Sequence, residues 1–132
     1  MSTAHPLKRH VLTLDLRDDP AAVAAYRRYH AEVWPEVVRS LERAGVDHLE
    51  IHLLGRRLVM IVEIEDGLEL RRVFEQHAKS EPKVAEWERL MKTLQQPAPG
   101  AREGEWWALM EPVCRLSRTG TPAATTETAR TA

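Results

Sequence analysis

Apolar and polar positions change period several times along the chain, and each change marks an element. His10 to Leu16 alternates, with Leu12, Leu14 and Leu16 on one side, the signature of a half-buried strand. Asp19 is a good N-cap and Pro20 suits a first helical position. They open a helix expected to run to about Val33. Pro35 forbids the α conformation at Trp34 and starts a second helix, Glu36 to Ala44, striped by Val37, Val38 and Leu41. Gly45 ends it. Val46 to Leu54 is a strand with Leu49, Ile51 and Leu53 on one face and His48, Glu50 and His52 on the other. After the Gly55-Arg56 turn, Arg57 to Ile64 is apolar on both faces and forms the antiparallel partner.

Leu68 to Lys79 has helical spacing through Leu70, Val73, Phe74 and His77, and Pro82 starts another helix, Lys83 to Leu94, striped by Val84, Trp87, Leu90 and Met91. Gln95 to Glu105, with Pro97, Pro99 and Gly100, is expected to be a long loop covering a site. Trp106 to Leu116 is expected to be the last strand, at an edge because Pro112 lacks a donor. The order is that of a ferredoxin-like βαββαβ unit, an α+β fold with one antiparallel sheet and helices on one face. A strand apolar on both faces beneath an uncovered sheet implies a homodimer. The expected organisation is a flexible leader, 1–7, a single domain, 8–116, and a disordered Thr/Ala-rich tail, 117–132.

Composition narrows the function. Nineteen basic residues against twenty acidic ones, a net charge of −1, disfavour nucleic acid or an anionic membrane as partner. One cysteine, Cys114, forms no internal disulfide and has no metal-ligand spacing around it. With no signal-like apolar run and nothing near the ~18 apolar residues of a membrane span, a cytoplasmic protein is expected. His48-x-Glu50-x-His52 offers ligand-type side chains, but three alternate strand positions spread over about 13 Å, too far for one ion. No metal and no cofactor are expected.

The stretch with chemical promise is Tyr26-Arg-Arg-Tyr-His30-Ala-Glu-Val-Trp34-Pro-Glu36. Tyr26 and His30 lie one helical turn apart on the face that carries Val23, Val33 and Val37, so both polar tips reach the edge of an apolar interior. By spacing alone, such a pair is more often a hydrogen-bonded core contact. However, the pattern Tyr-x-x-x-His-x-x-x-Trp-Pro-Glu, one strand in from the N-terminus, resembles the L-rhamnose mutarotase family. The resemblance extends from about Lys8 to Leu116 and includes Gly45, Val62-Glu63-Ile64 and Trp87-x-x-x-Met91.

That resemblance implies a dimeric α/β barrel and a cofactor-free exchange of sugar anomers. It implies His30 for proton transfer, Tyr26 to orient the sugar or share the proton path, and Trp34 and Trp87 as walls. Glu88 or Glu36 would be the second acid/base, and Trp106 or Trp107 would cap the pocket. Two positions depart from the family pattern: Glu88 replaces the second of two adjacent tryptophans, and Leu49 replaces a tyrosine. Less aromatic wall and an added carboxylate lean the expectation from L-rhamnose toward L-fucose. The rival readings are a dimeric α/β-barrel oxygenase or haem-handling protein, and a non-catalytic sugar-binding module.

Overall fold

The computed structural model describes residues 6–118. The tail, and the leader except for its last two residues, were expectations that fall almost wholly outside that range. The elements, in order, are β1 (Leu7–Leu16), α1 (Pro20–Ala31), α2 (Pro35–Ala44), β2 (Val46–Leu54), β3 (Arg57–Glu65), α3 (Leu70–Ala78), α4 (Pro82–Leu94), β4 (Gln95–Gln96) and β5 (Ala108–Leu109). Strand order is β2-β3-β1-β4, with β5 also on β1, and every pairing is antiparallel. This is the ferredoxin-like arrangement.

Register sorts the residues into faces. Leu12 opposes Met60 and Leu14 opposes Leu58, and these four are buried beneath the helices. Leu14, Leu16, Tyr26, Val37, Leu58, Trp87 and Met91 make one core cluster; Leu12, Ala44, Met60, Val62, Ile64 and Val73 make the other. Burying each large aliphatic side chain contributes roughly 1.5–3 kcal/mol. On the opposite face, Val11 pairs with Ile61 and Thr13 with Val59, all half-buried although no helix covers them.

Local chemistry sets the helix ends that matter to the site. Asp19 accepts a hydrogen bond from the Ala21 backbone N–H at 3.0 Å, and Pro20 follows in the first turn. α1 stops at Ala31, two residues before the expected end, so Val33 lies in the linker. Trp34 is extended (φ −59°, ψ 135°), the conformation a following proline imposes, and so its indole leaves the helix direction. Gly45 closes α2 at φ 111°, where a side chain would be strained.

The C-terminal part differs from the sequence reading. The expected loop from Gln95 begins as a strand: Gln95 and Gln96 pair with Leu16 and Asp15. The expected long strand from Trp106 to Leu116 shrinks to Ala108–Leu109 on Leu12–Thr13, with one further bond from Met110 N–H to the Val11 carbonyl at 2.8 Å. Pro112 supplies no donor, and the ladder ends before it.

Candidate active site

Five aromatic side chains from three segments converge where α1, the Trp34 linker and α4 meet. Tyr26 and His30 stack with ring centroids 4.0 Å apart and planes inclined by 27°. Trp87 presents an edge to His30 at 5.3 Å and to Trp34 at 5.0 Å, and Tyr29 meets Trp87 edge-on at 6.2 Å. The one-turn spacing in α1 delivers the stacked pair, the Trp-Pro break delivers Trp34, and α4 delivers Trp87. Lys83 sits over the Trp34 ring at 4.7 Å, a cation–π contact that fixes the indole from outside.

Hydrogen bonding sets the state of each polar tip. His30 Nδ1 lies 2.9 Å from the Tyr26 backbone carbonyl, which can only accept. Nδ1 therefore carries the proton and donates it, which leaves the Nε2 lone pair of the neutral ring free. Burial pushes the imidazole below its ordinary 6.5, opposed by that backbone bond. The Tyr26 phenol is pushed well above its ordinary 10, first by burial; a side-chain hydrogen bond from Gln95 opposes this and the charge of Glu88 adds to it. So Tyr26 stays protonated at any working pH and can donate.

Gln95 was read from the sequence only as the start of a loop. It is buried, and its Oε1 accepts from Trp106 Nε1–H at 2.8 Å. With the oxygen occupied, the amide nitrogen is left to donate to the Tyr26 oxygen, which turns the phenolic proton elsewhere. No local spacing could have announced this contact, which joins α1 to β4 and to a residue eleven positions further on.

The other candidates divide. Trp106 is tied to Tyr26 through Gln95, whereas Trp107 packs against both core clusters. Glu88 follows Trp87 on α4, is partly exposed, and pairs with His77 at 3.6 Å. Glu36 is half-buried in the first turn of α2. Leu49 is placed in the Met60–Val62–Ile64 cluster and not among the aromatic rings. His48 and His52 each bond one oxygen of Glu50 at 2.6 Å on the open sheet face. Among the described residues, no group of three His, Cys, Asp or Glu side chains is placed to hold a metal ion, and no helix is long and apolar enough to cross a membrane.

A protonated phenol stacked on a neutral imidazole, with aromatic walls around them, can move a proton to and from a hydroxyl-bearing ring. The family model for L-rhamnose mutarotase matches residues 9–116. The chain belongs to the L-rhamnose mutarotase family. Within reach of this family, an L-fucose mutarotase from Xanthomonas campestris is 41% identical over 103 residues, spanning 76% of this chain and 82% of its own. A UPF0734 protein from Dictyostelium discoideum is 34% identical over 112 residues, 83% of this chain and 90% of its own. Among solved structures, an L-rhamnose mutarotase from Formosa agariphila superposes with a TM-score of 0.59 at 18% identity, over 83% of this chain and 99% of that one. Tetracenomycin F2 cyclase from Streptomyces glaucescens superposes at 0.50, also with 18% identity, so the mutarotase fold is shared with a polyketide cyclase. Fold by itself leaves the chemistry open; family membership narrows it to sugar mutarotation.

Proposed function

We propose that this sugar mutarotase, an isomerase, acts on 6-deoxy-L-hexoses and prefers L-fucose to L-rhamnose. The carrying observation is the Nε2 lone pair of a neutral His30, held by the Tyr26 carbonyl beside a protonated Tyr26 phenol and the Trp34–Trp87 walls. Mutarotation needs a base at one oxygen and an acid at another. His30 Nε2 takes the proton from the anomeric hydroxyl while a second group protonates the ring oxygen. The C1–O5 bond breaks, giving the open-chain aldehyde. Rotation about C1–C2 and the reverse proton transfers then close the ring on the other face, with no net gain or loss of protons. Tyr26, oriented by Gln95, binds a sugar oxygen and supports that exchange. Glu88, next to Trp87 on α4, is the better second acid/base: its carboxyl gives a proton to the ring oxygen on opening, and its carboxylate takes one back on closure. Glu36 is its alternative, and Trp87 stacks on the apolar C–H face of the pyranose.

The preference for L-fucose is supported by Glu88, a carboxylate able to accept from a sugar hydroxyl, and by the relative of that name at 41% identity. A site built to bond one hydroxyl rejects the epimer more strongly than an apolar wall does. Saturation-transfer NMR of the anomeric protons tests it, with both sugars in one tube. Faster enzyme-dependent exchange of L-fucose is expected; a clear preference for L-rhamnose would overturn the substrate assignment and leave the isomerase intact. We also propose a homodimer built on the open sheet face, and a cytoplasmic location, which the single free Cys114 suits.

A further inference from the structure

One buried polar chain lies outside the mechanism so far. His77, on α3, is only 5% exposed, yet both ring nitrogens have partners. Nδ1 lies 2.8 Å from Oγ of Ser40 on α2, itself 1% exposed. Ser40 Oγ is 2.8 Å from Ser80 Oγ and makes a longer approach, 3.4 Å, to the His77 carbonyl. Ser80 Oγ donates to that same carbonyl at 2.8 Å. Nε2 faces Glu88 Oε2 at 3.6 Å.

Counting protons fixes the direction of the chain. Ser80 has one hydroxyl proton and spends it on the His77 carbonyl, so Ser40 must donate in its contact with Ser80. Ser40 Oγ then has only lone pairs left for the imidazole, and Nδ1–H is the donor. Nε2 and Oε2, 3.6 Å apart, are within ion-pair range and beyond a direct hydrogen bond, so the contact attracts when the ring carries a proton on each nitrogen. The two serines thus hold the ring in one orientation, with Nδ1–H directed at Ser40. His77 in turn engages one carboxylate oxygen and leaves Oε1 of Glu88, a partly exposed residue, uncommitted to this chain.

We propose that His77 is a positioning residue for the sugar reaction: locked by Ser40 and Ser80, it holds Oε2 of Glu88 so that Oε1 faces a hydroxyl of the bound sugar beside Trp87. The arrangement is that of a buried histidine oriented from behind by a hydroxyl pair and aimed at an exposed working carboxylate. Glu88 directly follows Trp87 on α4, whose ring meets His30 and Trp34, and its charge adds to the upward push on the Tyr26 phenol. This deepens the mutarotase reading and rests on it: the preference between sugar epimers is set by a pair that spans α3 and α4, with α2 behind it.

The experiment compares wild-type enzyme with His77→Gln, Glu88→Gln, the double variant and Ser40→Ala, using saturation-transfer NMR on L-fucose and L-rhamnose. Melting curves accompany each variant. Glu88→Gln and His77→Gln should each lower kcat/KM for the preferred sugar about tenfold and narrow the ratio between the two sugars. In the Glu88→Gln background, His77→Gln should cost less than about twofold more, since coupled residues are not additive. Ser40→Ala, which deletes only a hydroxyl, should move the ratio in the same direction by less, and it serves if His77→Gln does not fold. A folded His77 or Ser40 variant with the wild-type ratio would overturn the proposal. So would losses that multiply with Glu88→Gln, because His77 would then only pin α3 against α4. A wild-type protein that exchanges neither sugar would bring down the substrate reading first and this proposal with it.

Discussion

Burial and one carbonyl decide what His30 can do. Its ring is kept neutral by desolvation and its tautomer is kept by the Tyr26 carbonyl, so the free nitrogen is a base at neutral pH. Replacing it with asparagine is expected to lower anomer exchange by ~10²–10⁴-fold with sugar binding retained; a loss below about fivefold in NMR exchange would remove His30 from the mechanism. Tyr26→Phe should be milder and should act mainly on KM, and a larger loss than that of the histidine variant would exchange their roles. The sign of the pH dependence follows from the same shift. The working form is the deprotonated ring and its pKa is depressed below 6.5, so kcat/KM should rise with pH through a value below 6.5 and be flat across neutrality. A rising limb centred above 6.5 would contradict it. The Tyr26–His30 pair was legible in the sequence because a helix puts i and i+4 together. Gln95 and His77 were not, because their partners come from other elements: Trp106 and Tyr26 for one, Ser40 and Glu88 for the other. In the sequence, His77 reads as one more member of the α3 stripe, and its burial agrees with that.

At the level of elements, periodicity and punctuation located most of the fold. Pro20, Pro35 and Pro82 each start a helix, and Gly45 and the Gly55 turn close α2 and the β2–β3 hairpin. The signal failed where strands are too short to show a period: β4 and β5 have two residues each and are held by β1, a partner far off in sequence. Gly45 shows why such punctuation is exacting. Its φ of 111° is outside the range an L side chain tolerates, and an added Cβ would lie 2.9 Å from Leu68 Cδ1, the end of a flexible side chain. The Leu68 side chain can yield, but the backbone cannot, so Gly45→Ala is expected to destabilise by ~1–3 kcal/mol through strain. A urea-denaturation midpoint equal to that of the wild type would show that the α2–β2 junction relaxes instead. Because α2 also carries Ser40, this variant should loosen the His77 contact before it touches His30.

For the whole molecule, the open question of physical chemistry is the uncovered sheet face. Its centre is Val11, Val59 and Ile61; its rim is Arg9–Glu63, paired at 3.1 Å, and the His48–Glu50–His52 group. Beyond β5 the chain adds Met110, 43% exposed, and Val113, 77% exposed, so apolar surface continues past the last strand. An apolar centre ringed by charge is the composition of a protein interface, and contiguous patches of that kind on a monomer mark a partner surface. A second copy is the occupant we propose, since two such faces are self-complementary under a two-fold axis. Arg9 and Glu63 of one protomer can then alternate with those of the other around the apolar centre. Sedimentation at micromolar concentration should therefore give about 30 kDa, twice the 15.1 kDa chain. Ile61→Glu places a charge at the centre of the face and leaves the helix-side core untouched, because Ile61 points away from Met60 and Val62 along β3. It should yield a folded species of about 15 kDa. Wild-type protein that sediments as a monomer would refute the dimer, and a dimer that survives Ile61→Glu would move the interface to another surface.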